Sequence, residues 1–376
     1  MTPGELRARL RPFATNDRDR DCGVRACATG DDGPQVVVKR TAEGAAASFK
    51  GIMLCGHIWS CPVCSRVLRA KRAARVEAAV KGLGGTWMLL TLTHAHRDAA
   101  GDPLKPRLQG MMRALRRFKQ GGRFQRLWSE RVSASIRTSE MTVGFPNGWH
   151  PHIHMLIRSK PWPVDDRREL FQRWSSAIVA ELGASAAPSV RRGVDLTACF
   201  DSSAAPSLYL TKMGLELTGQ GKHGRNGRWS PVDLAQRAVA GEKLAAALWR
   251  EYCVATKGHQ AIRLDDRAST AADAWLEAQK SDHEMGGESS VPVEVRLDML
   301  AMQKLRNGER KHPTLLDDLL RDCEQSASPE TTVREWIRYS SGWRYTTVSE
   351  RDACDDGADA EARAGASAGA SVVRVP

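Results

Sequence analysis

Glu140-Met141-Thr142-Val143-Gly144-Phe145-Pro146-Asn147-Gly148-Trp149-His150-Pro151-His152-Ile153-His154-Met155-Leu156 is the stretch from which the fold is read. Gly144 to Gly148 carries Gly, Pro and Asn, residues that reverse a chain, and the flanking runs alternate polar and apolar positions. The upstream run extends back to Val132, so the two segments are expected to pair as an antiparallel hairpin. Side chains alternate faces along a strand, which places His152 and His154 together, about 7 Å apart, with Ile153, Met155 and Ile157 turned toward a core. Folding back brings Glu140 beside the two imidazoles. Two imidazoles and a carboxylate form an open three-donor set that suits Mg²⁺ or Mn²⁺ better than a closed structural zinc site. His150 continues the polar row. A second pair, His94-Ala95-His96, ends the apolar run Trp87 to Thr93 where it enters a polar loop, and reads as loop-end histidines near the site rather than as ligands.

The chain has 376 residues, 41% of them hydrophobic, enough for a sizeable core and for two domains with appendages. Its formal net charge of +12 points to a polyanionic partner, and Arg66 to Arg75 and Arg113 to Arg126 supply phosphate-contacting surface. There is no apolar run of the roughly 18 residues a membrane helix needs, and the first residues lack a signal-peptide core. The expected location is the bacterial cytosol, with no membrane partner. In a reducing compartment the nine cysteines do not make a disulfide scaffold. Cys61-Pro62-Val63-Cys64 is a C-x₂-C knuckle for Zn²⁺, and Cys55 is near enough to join it. The fourth ligand is expected from Cys22, with Cys27 or His57 as alternatives. Cys199, Cys253, Cys323 and Cys354 are scattered and read as ordinary residues.

Around the hairpin, periodicity predicts a helix over 65–81, a strand over 87–93, a basic helix from 108 continuing to 131, an amphipathic helix over 165–182 and a strand over 190–199. Helix also follows over 231–256. This order predicts an α+β fold in which helices pack on one face of a central antiparallel sheet. The division drawn from it is a zinc-binding module with a basic helix over 1–82, a catalytic domain over 83–265, a helical region over 266–350 and a disordered tail over 351–376. Between strand and helix lies Pro206-Ser207-Leu208-Tyr209-Leu210-Thr211-Lys212, where Pro206 suits a first helical turn and Tyr209, Lys212 and Glu216 share a face. A nucleophile is thereby set beside a phosphate-binding cation. No G-x-x-x-x-G-K-[ST] motif occurs, so no ATP-driven motor is indicated.

Taken together, the cysteine knuckle 55–64, the strand 90–93, the Glu140 to Leu156 hairpin, the Tyr209 helix and the segment Leu248-Trp249-Arg250-Glu251-Tyr252 resemble, in order, the rolling-circle replication initiators of plasmids. These are histidine-hydrophobic-histidine (HUH) tyrosine endonucleases with an RRM/ferredoxin-like palm. The resemblance implies that Tyr209 attacks a phosphodiester of origin DNA, single-stranded at the nick site, leaving a 5′-phosphotyrosine and a free 3′-OH. It further implies that His152 and His154, with Glu140, hold Mg²⁺ or Mn²⁺, that Lys212 orients the phosphate or Tyr209, and that host helicase and DNA polymerase act next. A phosphotyrosine conserves the bond energy, so rejoining needs no ATP. One departure concerns termination: the position four before Tyr209 is Ala205, where some members carry a second tyrosine or a carboxylate, and neither Asp201 nor Glu216 has that spacing. The rival readings are a transposase or relaxase of the same superfamily, a zinc-stabilised DNA-binding regulator without catalysis, and a histidine-triad nucleotide hydrolase.

Overall fold

The computed structural model describes residues 1–27, 33–41, 44–95, 102–145, 147–201, 227–284, 292–339 and 372–375. The chain forms two compact units: one comprises Met1–Gly56, Cys61–Val63 and Gly287–Pro376, the other His57–Ser60 and Cys64–Gly286. In chain order the described strands are β1 (Gln35–Thr41), β2 (Gly44–Lys50), β3 (Thr86–Leu92), β4 (Val132–Gly144), β5 (Gly148–Ser159), β6 (Val194–Asp201), β7 (Arg228–Trp229), β8 (Ile262–Leu264), β9 (Val293–Leu297) and β10 (Val372–Val375).

The larger unit is built on an antiparallel sheet of order β6-β3-β5-β4-β7, with β8 also paired to β4. The hairpin β4–β5 forms as its sequence predicts, with Glu140 opposite His152 and Thr138 opposite His154. On one face Leu90, Leu92, Ile153, Met155 and Ile157 pack against Met111, Leu115 and Phe118 of the helix Leu104–Lys119 and against Leu170, Trp174 and Ile178 of the helix Val164–Leu182. Ile153, Met155 and Ile157 are 0%, 1% and 0% exposed, and burying each such side chain is worth about 1.5–3 kcal/mol. A one-residue slip of β5 would turn all of them outward and the histidines inward, so the core fixes the register that assembles the site.

The sheet also carries helices on its second face, beyond the single helical layer expected. Trp87, Ala134, Ile136 and Leu156 meet Val76, Ala79 and Val80 of the helix Pro62–Leu83 and Ala268 and Ala272 of the helix Asp266–Glu284. A Cβ at Gly82 would lie 2.8 Å from the carbonyl oxygen of Ala271, so glycine permits the close approach of these two helices. The continuous helices expected over 108–131 and 231–256 are each broken, at Gly121 (φ 99°) and Gly241 (φ 94°), backbone conformations that side chains disfavour.

The smaller unit holds a sheet of order β10-β9-β1-β2, antiparallel except for the β9–β10 pair. Val36, Val38, Val295 and Leu297 share a core with Leu305, Leu315, Leu319, Val333 and Trp336 from the helices Met299–Lys311, Leu315–Gln325 and Pro329–Tyr339. Residues near both ends of the chain therefore build one unit, where the linear division drew separate N-terminal and C-terminal regions. Buried Glu309 accepts from both Arg7 and Arg11, and Arg7 also donates to the Cys22 carbonyl. In the stretch 351–376 the described part, Val372–Val375, is strand rather than tail. No helix of the described residues is long and apolar enough to cross a membrane.

Candidate metal centre

Glu140, His152 and His154 converge from adjacent strands, each offering a donor atom within 4.8 Å of the others. His152 Nε2 lies 2.8 Å and His154 Nε2 3.4 Å from Glu140 Oε2. Donors sharing an octahedral cation at about 2.1 Å are separated by about 3 Å, so these spacings fit one ion held between the three groups. Hydrogen bonds behind the rings aim them. Thr91 Oγ1, on the neighbouring strand, lies 3.1 Å from His154 Nδ1, and the His150 carbonyl lies 3.4 Å from His152 Nδ1. Placing the protons on both Nδ1 atoms leaves both Nε2 lone pairs facing the carboxylate. The side chains of His152, His154 and Glu140 are 14%, 18% and 21% exposed, so the set is partly accessible rather than sealed in the core.

Three further groups surround this set. His94 is buried and stacks on His150, the rings 6.1 Å apart and 13° from parallel, while Arg107 Nη1 lies 3.4 Å from His94 Nε2. His94 thus contributes a packed wall at the end of the histidine row. Arg69 is buried on the helix Pro62–Leu83, its guanidinium 5.6 Å from the Trp59 ring centre. Burial lowers its pKa from the usual value, and the Glu140 carboxylate acts against that lowering. Tyr252 itself is fully buried, between Trp149 and Trp249, and burial pushes its phenol above the ordinary range.

A second set is made wholly of sulfur. Cys22, Cys55, Cys61 and Cys64 are buried and place their Sγ atoms within 4.8 Å of one another. Cys22 and Cys61 are 3.6 Å apart, and four thiolates around one zinc at about 2.3 Å require separations of about 3.8 Å. The Cys55 N–H points at Cys22 Sγ from 3.3 Å, and Gly56 takes the positive φ of 73° that turns the chain after it. Of the candidates for the fourth position, Cys22 enters the group, whereas Cys27 is exposed and neither it nor His57 is part of it.

Thr91 and Arg69 were not singled out from sequence, whereas His94 was expected as a loop-end histidine near the site and lies packed on His150. Alternation along Leu90-Thr91-Leu92 carried the signal for Thr91, since a polar residue between two core residues must face the opposite side; nothing in the sequence distinguished Arg69 from its arginine-rich neighbours. Tyr209, Lys212 and Glu216, together with Ala205, His96 and Cys354, lie outside the described residues.

No protein-family model matches the chain, and no solved structure matches it. The chain is 36% identical over 156 residues to a protein of Streptomyces lividans named "Protein rep", an alignment covering 34% of this chain and 34% of that one. It is 34% identical over 154 residues to a Streptomyces cyanogenus protein named "Neomycin resistance protein", covering 32% of this chain and 34% of that one. The matched region thus spans about a third of each of these curated relatives. The similarity to the Streptomyces lividans protein supports the resemblance of this chain to plasmid Rep proteins.

Proposed function

We propose that this protein initiates rolling-circle replication of a plasmid by cutting one strand of origin DNA with Tyr209. The observation that carries the reading is the Glu140, His152 and His154 cluster, with both Nε2 atoms turned toward one carboxylate and the set partly accessible. The name of the Streptomyces lividans relative supports it. The sulfur set is the structural Zn²⁺ site, and the mixed nitrogen and oxygen set takes Mg²⁺ or Mn²⁺. That cation supplies Lewis-acid polarisation of the scissile phosphate.

The residues divide the remaining work. Thr91 and the His150 carbonyl hold the imidazoles with Nε2 turned toward the ion, and Glu140 brings the negative charge that favours a divalent cation. The Tyr209 oxygen bonds to phosphorus as the bond to the 3′ oxygen breaks; the tyrosine proton is lost, and the departing 3′ oxygen takes one up. Lys212 orients the phosphate. The 5′ end stays on the enzyme, and the 3′-OH is the primer for host polymerase behind a host helicase.

The test incubates the full chain with tiled single-stranded oligonucleotides from the DNA around its own gene, with Mn²⁺ or with EDTA. A Mn²⁺-dependent covalent adduct that vanishes in Tyr209→Phe and in His152→Ala/His154→Ala is expected. Failure of the wild type to form an adduct on any tile, while it still binds DNA, would leave a regulator without catalysis.

A further inference from the structure

The two helices Leu315–Gln325 and Pro329–Tyr339, in the smaller unit, are left unused by the nuclease chemistry. Each has 11 residues, and only Ser326, Ala327 and Ser328 join them. Leu315, Leu319, Val333, Trp336 and Ile337 bury their inner faces in the core also entered by Leu305 of the preceding helix. Trp336 Nε1 donates to Asp322 Oδ2 at 3.0 Å in the interior, tying the second helix to the first. Two short helices locked together across a turn of three residues have the connection length of a helix-turn-helix, a unit whose second helix lies in the major groove of DNA.

The outer face of the second helix has the chemistry for that role. Thr331, Arg334, Glu335 and Arg338 stand at i, i+3, i+4 and i+7 and are all exposed, so they form one stripe. Arginine pairs with guanine O6 and N7, glutamate accepts from cytosine N4, and threonine contacts either a base or the thymine methyl. Pro329 opens the helix, and Ser328 accepts from the Thr332 N–H at 3.2 Å, so the stripe begins in the first turn. The β1–β2 hairpin lies alongside the connection: Arg40 donates to the Ser326 carbonyl, and the Ala47 N–H donates to Glu324 Oε1 at 2.9 Å. Its end carries exposed Lys39 and Arg40, cations beside the turn that leads into the stripe.

We infer that this helix pair is a duplex-DNA reader, with Pro329–Tyr339 in the major groove and the Lys39 end of the hairpin on the adjacent phosphates. The inference rests on the replication reading only for the choice of DNA. The experiment measures binding of the full chain to labelled duplexes tiled across the DNA around its gene, at several salt concentrations, alongside the single-strand adduct assay. Wild type is expected to prefer one tile. Arg334→Ala/Arg338→Ala is expected to lose that tile by about 5–150-fold per arginine and to keep its adduct on single strands. Lys39→Ala is expected to weaken all tiles alike and to lower the salt slope by about 1. Arg338→Gln alone, at an exposed position, provides a variant whose fold is not in question. Equal wild-type affinity for all tiles, or unchanged binding in both arginine variants, would overturn the inference. A tile preference lost in the arginine variants with no adduct ever formed would sustain this inference while removing the nuclease one.

Discussion

Replacing Glu309 by leucine removes the acceptor shared by two arginines, and the structure sets the size of the consequence. The Glu309 side chain is 0% exposed, Arg7 is 6% exposed and Arg11 14%. Breaking a buried ion pair by deleting one partner costs about 3–5 kcal/mol, because the other charge stays in the interior without compensation. Arg11 is the more exposed and can turn toward water, so most of the penalty falls on Arg7, which keeps its bond to the Cys22 carbonyl. The lower figure, about 3 kcal/mol, is therefore expected, equivalent to about 6–12 °C in melting temperature for a domain of 150–250 residues. The contrasting variant is Arg7→Met/Arg11→Met/Glu309→Leu. It removes all three charges and leaves mainly the Cys22 carbonyl unsatisfied, for which about 1–3 kcal/mol is expected. Calorimetry of the zinc-loaded protein reads both variants. A Glu309→Leu protein melting within 1 °C of wild type, or a triple variant less stable than Glu309→Leu, would refute the argument that charge compensation in a dry interior holds these helices together.

Three other outcomes follow from the same physics. Thr91→Val keeps the shape of the side chain and removes the partner of His154 Nδ1, and should weaken Mn²⁺ binding about 10–100-fold by titration calorimetry; unchanged affinity would mean the tautomer is fixed in another way. Cys64→Ser should lower bound zinc, measured by elemental analysis, and lower the melting temperature of the protein. Burial, and then the charge of Arg137, push His259 down from 6.5 to about 4. Below pH 6.5 the unfolded chain binds a proton that the folded one refuses, so stability is lost as pH falls from about 6.5 toward 4. His259→Gln should flatten that part of a urea-midpoint profile, and an unaltered slope would remove His259 as its cause.

The hairpin and the three-donor set were legible because two independent patterns coincide there: strand alternation fixes the face, and the glycine turn fixes which residue lies opposite which. Glu140 could be paired with His152 by counting back from Gly144 and Gly148, and the structure has that register. The second helical layer was not legible for a chemical reason. Ala78, Ala79, Ala268 and Ala272 are each 0% exposed, but alanine bears little hydrophobic signal, and the contact it makes is tight backbone approach rather than an apolar stripe. The smaller unit was hidden by topology. β9 pairs with β1 across more than 250 residues of chain, and no local period in Val293–Leu297 names its distant partner. The helices beyond it were expected only as a helical region over 266–350, without individual bounds, because each is short, although Val333, Trp336 and Ile337 have the spacing of a buried helical face.

The two candidate metal sets also differ in a way that separates their roles by experiment. Thiolates are soft donors, and four of them leave no coordination position for a substrate, so the Cys22, Cys55, Cys61 and Cys64 set can stabilise but cannot polarise a phosphate. Two imidazoles and one carboxylate bind a hard cation more weakly and leave positions for water or phosphate oxygen. A weakly held, exchangeable ion is removed by EDTA within the time of an assay, while buried zinc resists. Brief chelation should therefore abolish adduct formation without altering the melting of the smaller unit, and added Mn²⁺ should restore it. Were brief EDTA instead to melt the smaller unit first, the cysteine set would be the labile one, and loss of nicking would report unfolding rather than the loss of a catalytic ion at Glu140, His152 and His154.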